Sequence, residues 1–94
     1  PTPDLPSWTF LTNHAHVMVA LDRDPDLRQR DLAYAVGITQ GAVQRILDEL
    51  VQAGFLRREK VGRRNHYEIV AKEPLRHPLD VNHNIGELLN MLRD

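Results

Sequence analysis

With 94 residues, 12 Lys and Arg against 13 Asp and Glu, and no cysteine, the chain reads as one domain with a modest core and a formal charge of -1. The lack of cysteine excludes a disulfide framework, a thiolate metal site and a thiol redox switch. No apolar run approaches membrane-spanning length and no signal peptide is visible, so the expected compartment is a reducing cytoplasm.

The near-neutral total hides a division along the chain. Residues 1–56 hold 4 basic and 7 acidic side chains, residues 57–67 hold 5 and 1, and residues 68–94 hold 3 and 5. A concentrated positive segment attracts a phosphate backbone, while the acidic remainder limits nonspecific adhesion elsewhere. A solvated charged hairpin is the bland alternative for such a run.

Taken in order, residues 1–7 carry three prolines and no periodicity, and an extended arm is expected. Residues 8–22 read as a first helix, with Leu11, Ala15 and Met18 on one row and Phe10, Val17 and Leu21 on the next. Trp8 would anchor its start, and His14, on the Leu11 row, is expected in the core or at an interface. His16 faces the other way, so the two histidines cannot chelate one metal from a regular helix. Asp26 to Arg28 is expected as a very short strand beneath a sheet.

The stretch 29–53 is the organising one. Leu32, Ala33 and Val36 keep helical spacing, Gly37 permits a positive φ, and Val43, Ile46, Leu47 and Leu50 restart the period. Small Ala33 lets the second of these helices cross close to the first, and Ile38 and Val43 fill the angle: a helix-turn-helix. The earlier helix lacks a Ser, Thr or Asp cap, although Asp31 favours its dipole and Arg28 at the opening could touch a phosphate. Thr39 is well placed to cap the later helix, and a cap and nothing more carries at least as much weight as a DNA contact. Opposite its apolar face stand Gly41, Arg45 and Asp48, flanked by Gln40 and Gln44. Gln and Arg make bidentate contacts with adenine and guanine edges, and Gly41 removes bulk that would hold the helix off the groove.

Gly54 supplies a left-handed end, after which 55–70 reads as a β-hairpin turning at Gly62 to Asn65, with Tyr67 and Ile69 facing inward. Such a hairpin is a wing that can lay Arg57, Arg58, Lys60, Arg63, Arg64 and Asn65 along the backbone or into the minor groove. Beyond a loop held by Pro74 and Pro78, residues 80–93 are expected as a last helix whose stripe comprises Val81, Ile85, Leu88, Leu89 and Leu92. Asn84 and Glu87 are spaced as a capping box should the helix start there. This seam wants a partner: the first helix of the same chain, the equivalent helix of a second chain, or both.

The order of elements and the stretches Arg30-Asp31-Leu32-Ala33, Gly37-Ile38-Thr39, Val43 to Leu50, Ala53-Gly54-Phe55-Leu56 and Gly62-Arg63-Arg64-Asn65 before Tyr67 resemble the winged helix-turn-helix regulators of the MarR and ArsR type. The resemblance covers about residues 8–94. It implies a dimeric bacterial or archaeal transcription factor, acting as a repressor, with the third helix in the major groove and the wing beside it. MarR proteins usually carry longer flanking helices around an effector pocket, and metal-sensing ArsR proteins often use cysteines, which are absent.

The expected architecture is therefore α+β, mainly α with a small β-hairpin: a three-helix core, a wing, and a C-terminal helix that dimerises through Trp8, Leu11, Val81, Ile85, Leu88, Leu89 and Leu92. The expected partners are double-stranded DNA and a second copy of the chain, with no cofactor, no membrane and no identified effector. Asp80, His83 and Glu87, with His77, do not reproduce a metal-ligand spacing. Ser7 is the only serine, and no phosphate-binding glycine loop or His-Glu-x-x-His pattern occurs, so no enzyme chemistry is expected. The rival reading is a winged helix used for protein interaction, since fold does not dictate function. RNA binding is disfavoured because exposed aromatics for base stacking are lacking.

Overall fold

The computed structural model describes residues 4–93, so part of the expected arm, residues 1–3, lies outside the described residues. In chain order the elements are α1 (Asn13–Arg23), α2 (Gln29–Val36), α3 (Gln40–Gln52), β1 (Leu56–Val61), β2 (Arg64–Ile69) and α4 (Ile85–Leu92).

The first helix begins five residues later than its apolar spacing suggests. Thr12 caps it through Ala15 N, and Thr9 Oγ1 donates to the Leu11 carbonyl at 2.7 Å, a local bond that holds the preceding turn out of helical geometry. Trp8 and Phe10 consequently stand outside the helix, 67 % and 91 % exposed, in an edge-to-face pair with ring centroids 5.0 Å apart. Trp8 is thus no anchor for α1 within the chain. Val17, Met18 and Leu21 form the buried face.

No strand forms at Asp26 to Arg28: Pro25 and Asp26 make a turn, and Leu27 and Arg28 lead from it into α2. Asp24 Oδ1 accepts from Asp26 N, the Asp24 carbonyl accepts from Leu27 N, and Pro25 offers no amide to a ladder. The helix-turn-helix follows the expected plan: Gly37 adopts φ +86°, Thr39 Oγ1 accepts from Ala42 N, and α2 has no side-chain cap. Leu32, Ala33 and Val36 pack with Val43, Ile46, Leu47 and Leu50, and these seven join α1, Phe55, Leu56, Tyr67, Ile85 and Leu89 in one core.

Past α3, Gly54 at φ +89° turns the chain into an antiparallel hairpin registered Leu56 to Ile69 and Val61 to Arg64. Its turn is only Gly62-Arg63, so Arg64 and Asn65 belong to β2 and alternate across the sheet. Tyr67 is buried and Ile69 half-buried, as alternation requires.

The last helix is shorter than 80–93. Asn84 and Glu87 form a full capping box, so α4 starts at Ile85 and leaves Val81 in the preceding turn, half exposed. Ahead of that box, residues 71–75 run back along 83–86: Leu75 N donates to the His83 carbonyl, Ile85 N to Glu73 and Gly86 N to Ala71, each at 2.9 Å. Ile85 and Leu89 point into the chain's own core. They are therefore not available to a second chain, whereas Leu88 and Leu92 remain partly exposed. Arg93 clamps the end of α4 to α1 through both carboxylate oxygens of Asp22, at 2.8 and 2.9 Å. That bond holds the Asp22 carboxyl below its ordinary range despite the opposing effect of burial.

Candidate nucleic-acid interface

The outer face of α3 is built by default, because its other face is committed to the core. Gln40, Gly41 and Arg45 are exposed, and a Cβ on Gly41 would meet nothing nearer than Thr39 Oγ1 at 4.0 Å. Nothing thus obstructs the first two turns of the helix. The acidic residues come later, and each is engaged. Glu49 Oε1 faces Arg45 Nη1 at 3.2 Å and His14 Nε2 at 3.0 Å. His14 is half-exposed at its pairing with Glu49 rather than a core residue, and His16 pairs with Asn13 on the same helix.

Asp48 does more than close the charge balance. Its Oδ1 accepts from Arg58 Nη1 of β1 at 2.7 Å and from Gln44 Nε2 at 2.9 Å, while Gln44 Oε1 accepts from Gln29 Nε2 at the start of α2. A polar chain therefore runs from α2 across α3 into the wing. Arg58, and then Gln44, hold the Asp48 carboxyl below the usual carboxylate range, and Asp48 foremost holds the Arg58 guanidinium above its own. Gln44 and Arg58 are thereby committed inside the chain, a role that spacing alone could not assign to them.

The remaining expected residues divide cleanly. Arg57 pairs with Glu68 across the hairpin at 2.5 Å, which neutralises it at the surface. Lys60 is exposed on β1, and no carboxylate among the described residues pairs with it, with Arg28 or with Arg63. The Arg64 guanidinium donates to the Asp26 carbonyl, tying the wing to the turn before α2. Between these elements lies a cleft of about 490 Å³ lined by Arg28, Gln29, Arg63, Arg64, Asn65 and Tyr67 over Leu27, Leu32 and Leu47. Tyr67 was readable from the sequence only as an inward-facing strand residue. Its Oη lies near enough to Arg58 to reinforce that charge, yet no donor or acceptor meets it in hydrogen-bond geometry.

A second, apolar cleft of about 570 Å³ opens between α1, the end of α3 and α4, with Met18, Leu50, Phe55 and Leu88 in its walls. Among the described residues no group of three or more His, Asp or Glu is placed to hold a metal ion, and His83 is instead paired with Glu87 at 2.6 Å. No helix among them is long and apolar enough to cross a membrane.

The geometry is that of a winged helix-turn-helix, with α2 and α3 crossing at Gly37 and a basic hairpin bonded to the outer face of α3. No curated protein matches the chain. The model of the MarR family matches residues 9–64, from the turn before α1 to the first residue of β2. That span exceeds half of the sequence and contains the whole helix-turn-helix, so the chain belongs to the MarR family of DNA-binding transcription regulators.

Proposed function

We propose that this protein binds double-stranded DNA sequence-specifically as a homodimer and represses transcription by occupying a palindromic operator. The supporting observation is the Asp48–Arg58 pair, which fixes the basic wing beside the exposed face of α3. Arg45 and Gln40 on that face read base edges in the major groove, with Gly41 allowing close approach and Thr39 contributing at the helix start. Gln44 and Arg58 act chiefly as the brace. Lys60, Arg63, Arg64 and Asn65 from the wing and Arg28 from α2 meet the phosphate backbone or the minor groove, and Arg57 contributes less because Glu68 screens it.

The dimer forms through the apolar surface that the chain leaves uncovered near α1 and α4. Trp8, Phe10 and Met91 are exposed, and Leu11, Leu88 and Leu92 are half-exposed. Ile85 and Leu89 support this surface from within. Selection of bound sequences from a random DNA pool tests the reading. A palindrome with half-sites about 10 base pairs apart is expected from a two-fold dimer. Recovery of no enriched sequence would remove specificity from the account, and an enriched but asymmetric single site would remove the dimer.

A further inference from the structure

Arg45, the side chain assigned above to base edges, is engaged within the chain. Its Nη1 donates to Glu49 Oε1 at 3.2 Å, one turn further along α3, where the acidic residues begin. The same oxygen accepts from His14 Nε2 of α1 at 3.0 Å. A carboxylate can only accept, so Nε2 carries the hydrogen at this contact. One carboxylate oxygen therefore joins the groove-facing arginine to a histidine on another helix.

This placement sets Glu49 against base reading. It draws the guanidinium towards the later half of α3, away from Gln40 and Gly41, and it takes up a donor of the fork that would grip guanine. Base binding must then break the bond. Arginine precedes glutamate, the less favourable order for an i,i+4 pair, and the side chains are 64 % and 49 % exposed, so the bond is weak. What else engages the carboxylate then decides how firmly Arg45 is held.

His14 is the group that does so. Neutral, it is one of two donors to Oε1. Protonated, it becomes the stronger partner, because a cation there offsets the charge that holds Arg45. From the loop before α4, Arg76, His77 and Asp80 line the same cleft, while α4 brings only Ile85 and Leu88. On α1 itself the positive end of the helix dipole lies beside His14, and His16 is occupied with Asn13. Among the described residues only Glu49 hydrogen-bonds to the His14 imidazole.

We propose that Glu49 is a positioning residue for Arg45, holding its guanidinium back from the groove, and that protonation of His14 loosens this hold. The role rests on the DNA-binding reading above and makes preference for the selected site rise as the solution is acidified from pH 8 to pH 6.

The test measures affinity for the selected site and for random DNA at both pH values and one salt concentration. Their ratio is the readout, because a change in overall charge moves both affinities together. In the unaltered protein the ratio should rise about two- to fourfold on acidification, as expected for release from a weak exposed pair. Glu49→Gln should show the raised ratio at both pH values, and His14→Gln should keep the lower one at both. In an Arg45→Ala background neither Glu49→Gln nor pH should move the ratio, since the effect acts through that side chain. Folding tolerates these variants because all three side chains are at least partly exposed. An unchanged or lowered ratio in Glu49→Gln, or a rise that persists without Arg45, overturns this role alone. Absence of DNA binding by the unaltered protein at low salt removes the DNA reading and this role with it.

Discussion

Arg58 Nη1 donates to Asp48 Oδ1 across 2.7 Å, and this bond joins the wing to the outer face of α3 at the level where acidic residues replace Gln and Arg. The arrangement gives Asp48 a purpose that its charge alone would oppose, since a carboxylate near DNA repels phosphate. As one of the groups that define the wing's position, it holds the brace while Arg58 masks its charge.

Asp48→Asn should loosen this brace and unmask Arg58. The expected result is stronger binding to random DNA, by a few-fold, with a salt slope steeper by up to about one unit and a smaller preference for the selected site. The Asp48 pKa is lowered in the folded protein, so the pairing is fully present above the ordinary aspartate range and is lost as pH falls through the lowered value. At neutral pH the unaltered protein therefore keeps the brace, and parallel salt titrations of the two proteins at pH 7 measure its effect.

The recognition helix and the wing tip should differ in what they read. Arg45→Ala is expected to cost about 1 to 3 kcal/mol on the selected site and much less on random DNA. Arg63→Ala should weaken both equally and lower the salt slope by about one unit. Affinities of both variants on both DNAs decide the matter. An equal loss for Arg45→Ala, with a change of site preference only for Arg63→Ala, would reverse the assignments.

The docking of α4 depends on a close approach that no periodicity announces. A Cβ at Gly86 would lie 2.9 Å from both the Cβ and the carbonyl oxygen of Ala71, so Gly86→Ala should destabilise the fold by about 1 to 3 kcal/mol through overpacking. Leu47→Ala, at a fully buried position between the helices and the wing, should cost about 2 to 5 kcal/mol. Urea unfolding measures both.

A pH effect is expected at the start of α4. Glu87 raises the His83 pKa above its ordinary value, and His83 foremost lowers that of Glu87. The histidine's share of stability is present below the ordinary histidine range and is lost as pH rises through its raised pKa. The glutamate's share is present above the ordinary carboxylate range and is lost as pH falls through its lowered pKa. The pair therefore contributes most in mildly acidic solution. The effect is small because both groups are largely exposed. His83→Gln should flatten the rise in melting temperature between pH 8 and pH 6.

Much of the core was legible because the two periods are clean. Val43, Ile46, Leu47 and Leu50 announce a helix, Gly37 its junction, and Tyr67 and Ile69 the inward face of the hairpin, and all of these lie where spacing put them. The boundaries failed where a polar side chain overrode apolar spacing. Thr12 captured the start of α1, Asp24 closed the turn expected as a strand, and Asn84 with Glu87 cut α4 short. On the site, sequence placed Gln40, Gly41 and Arg45 on the outer face. It was silent about Gln44 and Arg58 meeting at Asp48, because that contact joins residues of different elements.

The central claim is that this fold meets DNA phosphates through α2, α3 and the wing. Its most direct test is the salt dependence of binding of the intact protein to mixed-sequence double-stranded DNA. Several phosphate contacts predict measurable affinity at low salt and a linear fall of log affinity with log salt, with a slope of about -0.9 for each contact. Lack of binding at low salt would contradict the account and leave the winged helix as a protein-interaction module.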